Sequence, residues 1–430
     1  MNKLLVFCID ALCASDVDAM RTMPHFGPFL ERAAVVKDIE PVWPALTYCC
    51  HTSIITGCYV DRHGIANNEV MRRGGYFHQP WHCLKTDVKV PTLLDYAREN
   101  GRSTCSLSWP VSGGADYDMN FPMIVPYSYT GWEPESWLEN TATQPLMERY
   151  FYKHGRYLKG PDRSLDLFTM AVALDILEDG DQPDVMLVKM CDLDGSRHLH
   201  GLHNEPVTNQ LRKHDEEFGS IVEALRRKGT LEQTNLVILG DHGQTDIEDI
   251  IHINVLLRQN GFIRTNENGG LASFDALVHS TGLAAYVELG DPDDLPVKAR
   301  VKAFLDSLKS DPRLQLGYVW DREEAKALFH VDGPFDFILE SRLPIAFGER
   351  FDLEDIYGSR IPGNHKTGAA THGGSPTREE LTTFLAAGPG VVPGAVVERR
   401  SMVDEAPTMA RMLGFSMPDA DGTAIEEILR

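Results

Sequence analysis

The chain is poor in the features that would place it in several large classes. None of its apolar runs approaches the roughly 18 residues a bilayer-spanning helix needs. Cysteine is sparse, 8 in 430 residues, and all eight lie between Cys8 and Cys191. There is no C-x-x-C pair, and Cys49 and Cys50 are adjacent. That excludes a zinc knuckle or a disulfide framework and points to reduced thiols in a cytoplasmic protein. Basic residues are also short, 41 Lys+Arg against 63 Asp+Glu, for a net charge of −22. Such a field repels nucleic-acid polymers and anionic membranes, and leaves small anions as partners where metals or local cations reverse the sign. Repeats and low-complexity tracts are lacking. The apolar start, Leu4 to Ile9, stops at Asp10, too short for the core of a signal peptide, and reads as a buried first strand.

What remains is ordinary globular material, 43% hydrophobic and 24% charged, long enough for more than one domain at roughly 100–200 residues each. Three strand-length apolar runs end in acids. Lys3–Ile9 runs into Asp10, residues 185–191 into Asp192 and Asp194, and residues 236–239 into Gly240-Asp241-His242. Continuous rather than alternating apolarity suits strands of a parallel sheet buried on both faces. Helical patterns fall between them, over 90–100 before Gly101, over 165–177, and over 207–228 before Gly229. The expectation is an α/β fold with helices on both faces of a mostly parallel central sheet. Residues 261–362 differ in texture, with a strand over Ala284–Leu289, a helix over 296–308 and strands over 314–320 and 335–339. They read as a smaller α+β cap inserted into a catalytic domain of residues 1–260 and 363–430. Loops over 72–81 and 122–137 are placed on the substrate side.

Functional groups of such sheets collect beyond the carboxyl ends of the strands. There the sequence offers Asp10, Asp194, His198, Asp241, His242 and His372, three carboxylates and three imidazoles, a ligand set suited to zinc and similar divalent ions. A lone strand-end aspartate is usually a turn or helix cap, so the set rather than any member is the signal. Gly243 allows close backbone approach, and the spacing to His198 favours Asp194 over Asp192. His200, His203 and His214 read as surface residues, and Arg62 and His63 as substrate groups or loop supports. A nucleophile is sought in residues 43–53, where a hydroxyl would need activation. Thr47 follows a proline turn and precedes a helix whose N-terminus favours an anion. Spacing does not rank Thr47, Thr52 and Ser53, and Cys49 and Cys50 are rivals without an evident base.

Taken in order, several blocks resemble the nucleotide pyrophosphatase/phosphodiesterase family of the alkaline phosphatase superfamily. They are F-C-I-D-A at 7–11, P-A-L-T-Y-C-C-H-T-S-I-I-T-G at 44–57, H-G-I-A-N-N at 63–68, D-L-D-G-S-R-H-L-H-G at 192–201, G-D-H-G-Q at 240–244, T-H-G-G-S-P at 371–376 and A-A-G-P-G at 386–390. The resemblance implies an alkaline-phosphatase-like fold and two divalent metal ions per chain, zinc with manganese as the alternative. One metal would be held by Asp194, His198 and His372, the other by Asp10, Asp241, His242 and Thr47. Thr47 would be the nucleophile, passing through a phospho-threonine intermediate that a metal-activated water hydrolyses. Asn68 would donate to a phosphoryl oxygen. The partner is then a small phosphorylated substrate, with the oligomeric state left open. Where many relatives read Thr-Phe-Pro-Asn-His, this chain has Thr47-Tyr48-Cys49-Cys50-His51, making Tyr48 the candidate base-stacking ring, and Gln244 replaces a usual Met. The Lys-x-Arg or Lys-x-Lys pair that monoesterase and phosphonoacetate-cleaving relatives tend to carry just after about residue 120 is missing there, with Lys153 and Arg156 as partial substitutes. The C-x-P-x-R of sulfatases is absent, since Cys58 to Arg62 lacks the proline. The rivals to a diesterase are a C–P bond or phosphomonoester hydrolase on the same site, and a non-catalytic metal-stabilised binding protein.

Overall fold

The computed structural model describes residues 1–74, 80–123, 134–180, 182–342, 344–376 and 378–430. The early strands of its central sheet are β1 (Lys3–Ile9), β2 (Ala34–Glu40), β3 (Thr104–Trp109), β4 (Met119–Pro122), β5 (Val185–Met190) and β6 (Thr234–Leu239). A second sheet follows, with β7 (Ala276–Ser280), β8 (Ala284–Leu289), β9 (Leu316–Asp321) and β10 (Phe337–Ser341), before the chain returns through β11 (Thr382–Ala387) and β12 (Val396–Ser401). The main helices are α1 (Thr47–Thr56), α2 (Leu93–Glu99), α3 (Leu165–Asp179), α4 (Asp192–His200), α5 (Glu205–Lys228), α6 (Leu295–Leu308) and α7 (Glu405–Leu413).

The central order is β12-β2-β11-β6-β1-β5-β3-β4. Every pairing is parallel except those of β11, which runs antiparallel to β2 and β6. As expected for strands covered on both sides, Leu4, Val6 and Cys8 pack toward α1, α2 and α7, while Leu5, Phe7 and Ile9 pack toward α3 and α5. Three neighbouring parallel strands, β5, β1 and β6, therefore end side by side, which brings residues 10, 192–194 and 241–242 to one edge.

Local signals explain most boundaries. Helix α2 begins at Leu93 rather than at residue 90, because Thr92 and Asp95 form a capping box just after Pro91. Helix α5 is capped by Asn204 and stops at Gly229 with φ of 71°, the left-handed position glycine takes readily. His214 corrects the surface reading. It is fully buried and paired with Glu217 at 2.7 Å, because it falls on the inward stripe of α5 with Leu211 and Phe218.

The second sheet is antiparallel, in the order β7-β8-β10-β9. With α6 it encloses its own apolar cluster, including Val278, Val287, Val301, Leu305 and Leu339. Its β7–β8 turn reaches the edge where the central strands end. Leu283 N donates to His372 O at 3.0 Å, and Thr281 Oγ1 to Gly373 O at 2.9 Å. Of the two expected substrate-side loops, residues 75–79 and 124–133 lie outside the described residues. Among the described residues no helix is long and apolar enough to cross a membrane.

Candidate metal centre

The site begins where β1 turns. Ala11 has φ of 59°, a left-handed conformation unusual for a residue with a side chain. The turn is held from two sides, since Ala11 N donates to Asp241 Oδ1 at 2.9 Å and Ala11 O accepts from Arg197. Arg197 is fully buried and grips Asp16 with its other nitrogen at 2.7 and 2.8 Å. At the end of β6, Gly243 permits the approach of another chain segment, because a Cβ there would lie 1.7 Å from Glu380 O.

These turns bring all six expected ligands to one place. Asp10, Asp241 and His242 present ligand atoms within 4.8 Å of one another, and so do Asp194, His242 and His372. His242 is thus common to both groups, and its ring stacks on that of His372 at 3.7 Å. His198 stands at the outer side, 3.1 Å from Asp194 Oδ1, with its ring 5.3 Å from that of His372. The tightest triad around Asp194 therefore contains His242 in place of His198. Asp192 turns away to Lys213 at 2.9 Å.

The imidazoles are oriented by the backbone. His198 Nδ1 donates to Ala370 O at 2.8 Å, His242 Nδ1 to Gly243 O at 2.9 Å and His372 Nδ1 to Ala45 O at 2.7 Å. Each Nε2 is left with its lone pair facing the site, the arrangement that metal-binding histidines use. Asp10 Oδ1, Asp241 Oδ2 and His198 Nε2 are buried and make no hydrogen bond, although orphaned buried polar atoms are costly. Burial drives the Asp10 carboxyl well above the usual carboxylate range, and Asp241 beside it adds to the push against the pull of Lys189. For Asp194, burial is outweighed by His198, His372 and His242, which hold its carboxyl low. Asp241 is likewise held low, against burial, by His242 and His51. The donor set is short of positive charge and fits divalent cations.

Thr47 opens α1, and its Oγ1 lies 3.2 Å from His242 Nε2. Its rivals are engaged elsewhere. Thr52 Oγ1 donates to Tyr48 O at 2.7 Å. Ser53 Oγ meets His63 Nε2 at 3.0 Å, but His63 Nδ1 accepts from Ile65 N at 3.1 Å. Its Nε2 therefore carries the proton and donates to Ser53 rather than acting as a base. Burial pushes the thiols of Cys49 and Cys50 far up, away from thiolate. Asn68 Oδ1 accepts from Tyr48 N at 2.9 Å, which fixes the amide beside the first turn of α1. Its Nδ2 has no hydrogen-bond partner among the described residues.

Other sequence readings change. Tyr48 is fully buried, edge-on to Trp81 at 5.2 Å, so its ring is closed to a substrate base. Arg62 pairs with Asp421 and Lys153 with Asp175, both at 2.6 Å. His203 pairs with Glu380 at 2.9 Å, and His200 is exposed as expected. Three supporting roles escaped the sequence reading. His51 Nδ1 donates to Thr47 O at 2.8 Å and lies 3.1 Å from Asp241 Oδ2. Gln244 Nε2 donates to Asp194 Oδ1 at 2.5 Å. Lys189 Nζ pairs with Asp10 Oδ2 at 2.6 Å, and the only signal in the sequence was one charge inside an apolar strand.

A mostly parallel sheet at whose carboxyl edge three carboxylates and three imidazoles able to hold metal gather beside a hydroxyl at a helix N-terminus is the arrangement of a metal-dependent hydrolase of phosphoryl groups. Residues 4–363 match the family model described as Type I phosphodiesterase / nucleotide pyrophosphatase, and the chain belongs to that family. It is an enzyme that uses divalent metal ions to hydrolyse phosphodiester or pyrophosphate bonds. Among its relatives, bovine (Bos taurus) bis(5'-adenosyl)-triphosphatase ENPP4 is 22% identical over 98% of this chain and 80% of its own length. Human ectonucleotide pyrophosphatase/phosphodiesterase family member 7 is 22% identical over 100% of this chain and 83% of its own. The fold is that of human ectonucleotide pyrophosphatase / phosphodiesterase 5, with a TM-score of 0.69 at 16% identity and full coverage of both chains. An inactive variant of the murine protein in complex with AMP superimposes with a TM-score of 0.66 at 15% identity, again over both whole chains.

Proposed function

We propose that this chain cleaves a small nucleotide-like phosphodiester or pyrophosphate with Thr47 as nucleophile. The observation that carries this reading is the position of the Thr47 hydroxyl, at the first residue of α1 and beside the imidazole common to both ligand groups. Asp194, His198 and His372 would hold one metal and Asp10, Asp241 and His242 the other, with Thr47 completing the second. Zinc is the ion that the carboxylate–imidazole set favours. Bound there, the metals would lower the pKa of the attacking hydroxyl and neutralise charge that develops on the phosphoryl oxygens.

The chain's own groups do the rest. Thr47 Oγ1 attacks phosphorus and displaces the leaving-group oxygen, which departs with the threonine proton and leaves the phosphoryl group on Oγ1. Water then attacks the same phosphorus, breaks the Oγ1–P bond and restores the hydroxyl. The N-terminal end of α1 would face the anion, with the Tyr48 N–H already taken by Asn68 Oδ1. Asn68, anchored through Oδ1, offers Nδ2 to a phosphoryl oxygen. Residues 261–362 act as a cap, a reading supported by the contact of the β7–β8 turn with the His372 loop. Cap and loops 72–81 and 122–137 would choose the leaving group. A cytoplasmic site of action is the reading that eight free thiols support.

The test compares rates on bis-p-nitrophenyl phosphate, p-nitrophenyl phosphate and phosphonoacetate, with metal content measured on the same sample. Faster diester than monoester turnover, with about two zinc ions per chain, is expected. A preference for the monoester or the phosphonate would transfer the site to the corresponding rival activity.

A further inference from the structure

Strand β5 carries a single charged residue in its core. Lys189 is fully buried, and its Nζ lies 2.6 Å from Asp10 Oδ2, 3.1 Å from Cys191 Sγ and 3.4 Å from Met123 Sδ. An ammonium taken out of water is costly unless a charge is paired with it. Two sulfur atoms are weak acceptors, so Asp10 is the partner that keeps Lys189 in place. The pair divides the carboxylate. Oδ2 is taken by the ammonium, while Oδ1 is buried, makes no hydrogen bond and faces His242 Nε2 at 3.3 Å. Lys189 also alters the charge count. Asp10 and Asp241 with Lys189 carry −1 in place of the −2 of two unpaired carboxylates.

We propose that Lys189 is a positioning residue that confines Asp10 to ligation through one oxygen and makes the Asp10–Asp241 position the weaker of the two metal positions. The inference rests on the two-metal reading above. A divalent ion bound there stands close to a fixed positive charge in a dry environment, where repulsion is little screened. Before metal arrives, the same ammonium does part of its work, keeping two buried carboxylates from repelling each other. The second metal is therefore the one that exchanges, and activity at limiting metal follows the occupancy of this position.

Zinc titration of metal-free protein against a chromophoric chelator tests this on the wild type and on Lys189→Met, which keeps the length of the side chain without its charge. The wild type should bind two zinc ions in two steps of different affinity. In Lys189→Met the weaker step should tighten at least tenfold while the stronger one stays within about twofold. The Tm of the metal-free variant should fall, and the gain in Tm on adding zinc should exceed that of the wild type. Should the metal-free variant fail to fold, zinc-loaded protein challenged with EDTA provides the readout, and its second zinc should leave more slowly than from the wild type. An unchanged weaker step, equal loosening of both steps or unaltered release would overturn the proposal. A wild type that binds no zinc would overturn the two-metal reading itself, whereas two bound ions with no effect of the variant would overturn only the role of Lys189.

Discussion

The two ligand groups share His242 yet are built on different principles. Around Asp194, one carboxylate sits among imidazoles carried by helix α4 and by the loop at His372, and their orientation comes from backbone carbonyls and Gln244. Around Asp10, two carboxylates stand at the ends of the adjacent strands β1 and β6, and their orientation comes from charge, through Lys189 and His51. One metal-ligand geometry can thus be held by dipoles or by ions. The first kind depends on where loops lie, the second on which charges are buried. Neutral imidazole ligands need only their far nitrogen tied down. Adjacent buried carboxylates need a counter-ion before the metal is present.

Removing the atom that both groups serve should have the largest effect. Thr47→Ala is expected to lower turnover by at least about 10³-fold, with metal content by plasma mass spectrometry unchanged at about two per chain, since six protein ligands remain. Normal activity in this variant would remove Thr47 as nucleophile. Breaking one group at a time should follow. His372→Ala is expected to lower metal content toward one per chain and to slow turnover, whereas Asn68→Ala should leave metal content intact and reduce kcat by about 10²-fold, the scale of losing one preorganised donor. Unaltered stoichiometry in the former, or lost metal in the latter, would reverse the division between ligand and donor. Removing only a support is milder. Gln244→Ala should weaken zinc binding by roughly 10-fold, at the lower end for an outer-shell partner, and a chelator titration with no change would show that Asp194 holds its place unaided.

The smallest effect lies outside both groups. Burial, with His82 and Lys89 nearby, lowers the pKa of His63 to about 3, against about 6.5 in an unfolded chain. The folded-state value is the depressed one. Its contribution to stability is therefore present above pH 6.5 and is lost as pH falls toward 3, by up to about 1.4 kcal/mol per pH unit. His63→Gln should flatten the fall of unfolding free energy between pH 6 and 4 by about one proton, measured by urea denaturation. An identical slope in both proteins would mean that His63 is not buried neutral.

The sequence made the frame of the site readable because buried parallel strands are written as apolar runs and their ends as acids. Strand β1 and strand β8 fall where those runs predicted, over Lys3–Ile9 and Ala284–Leu289. The structure also brings Asp10, Asp194, His198, Asp241, His242 and His372 together, as the ordered blocks implied. Pairings across strands were not readable, since nothing local marks that Lys189 meets Asp10 or that Arg197 holds Ala11. His214 is a different case. Its spacing from Leu211 and Phe218 already matched the buried face of a helix, and imidazole polarity masked that signal. Tyr48 shows the opposite limit, for its position in the motif was legible but its burial under Trp81 depends on a segment far along the chain.

The left-handed turn at Ala11 has a consequence for how the molecule is assembled. It is pinned by Asp241 from β6 and by Arg197 from α4, so three remote stretches of chain must meet before Asp10 faces inward. Contacts of such long sequence separation form late, because loop closure must come first. With His372 closing the set, no fragment that ends short of it carries every ligand. Capacity to retain metal is then a gauge of completed folding, gained only when the last of these segments has docked.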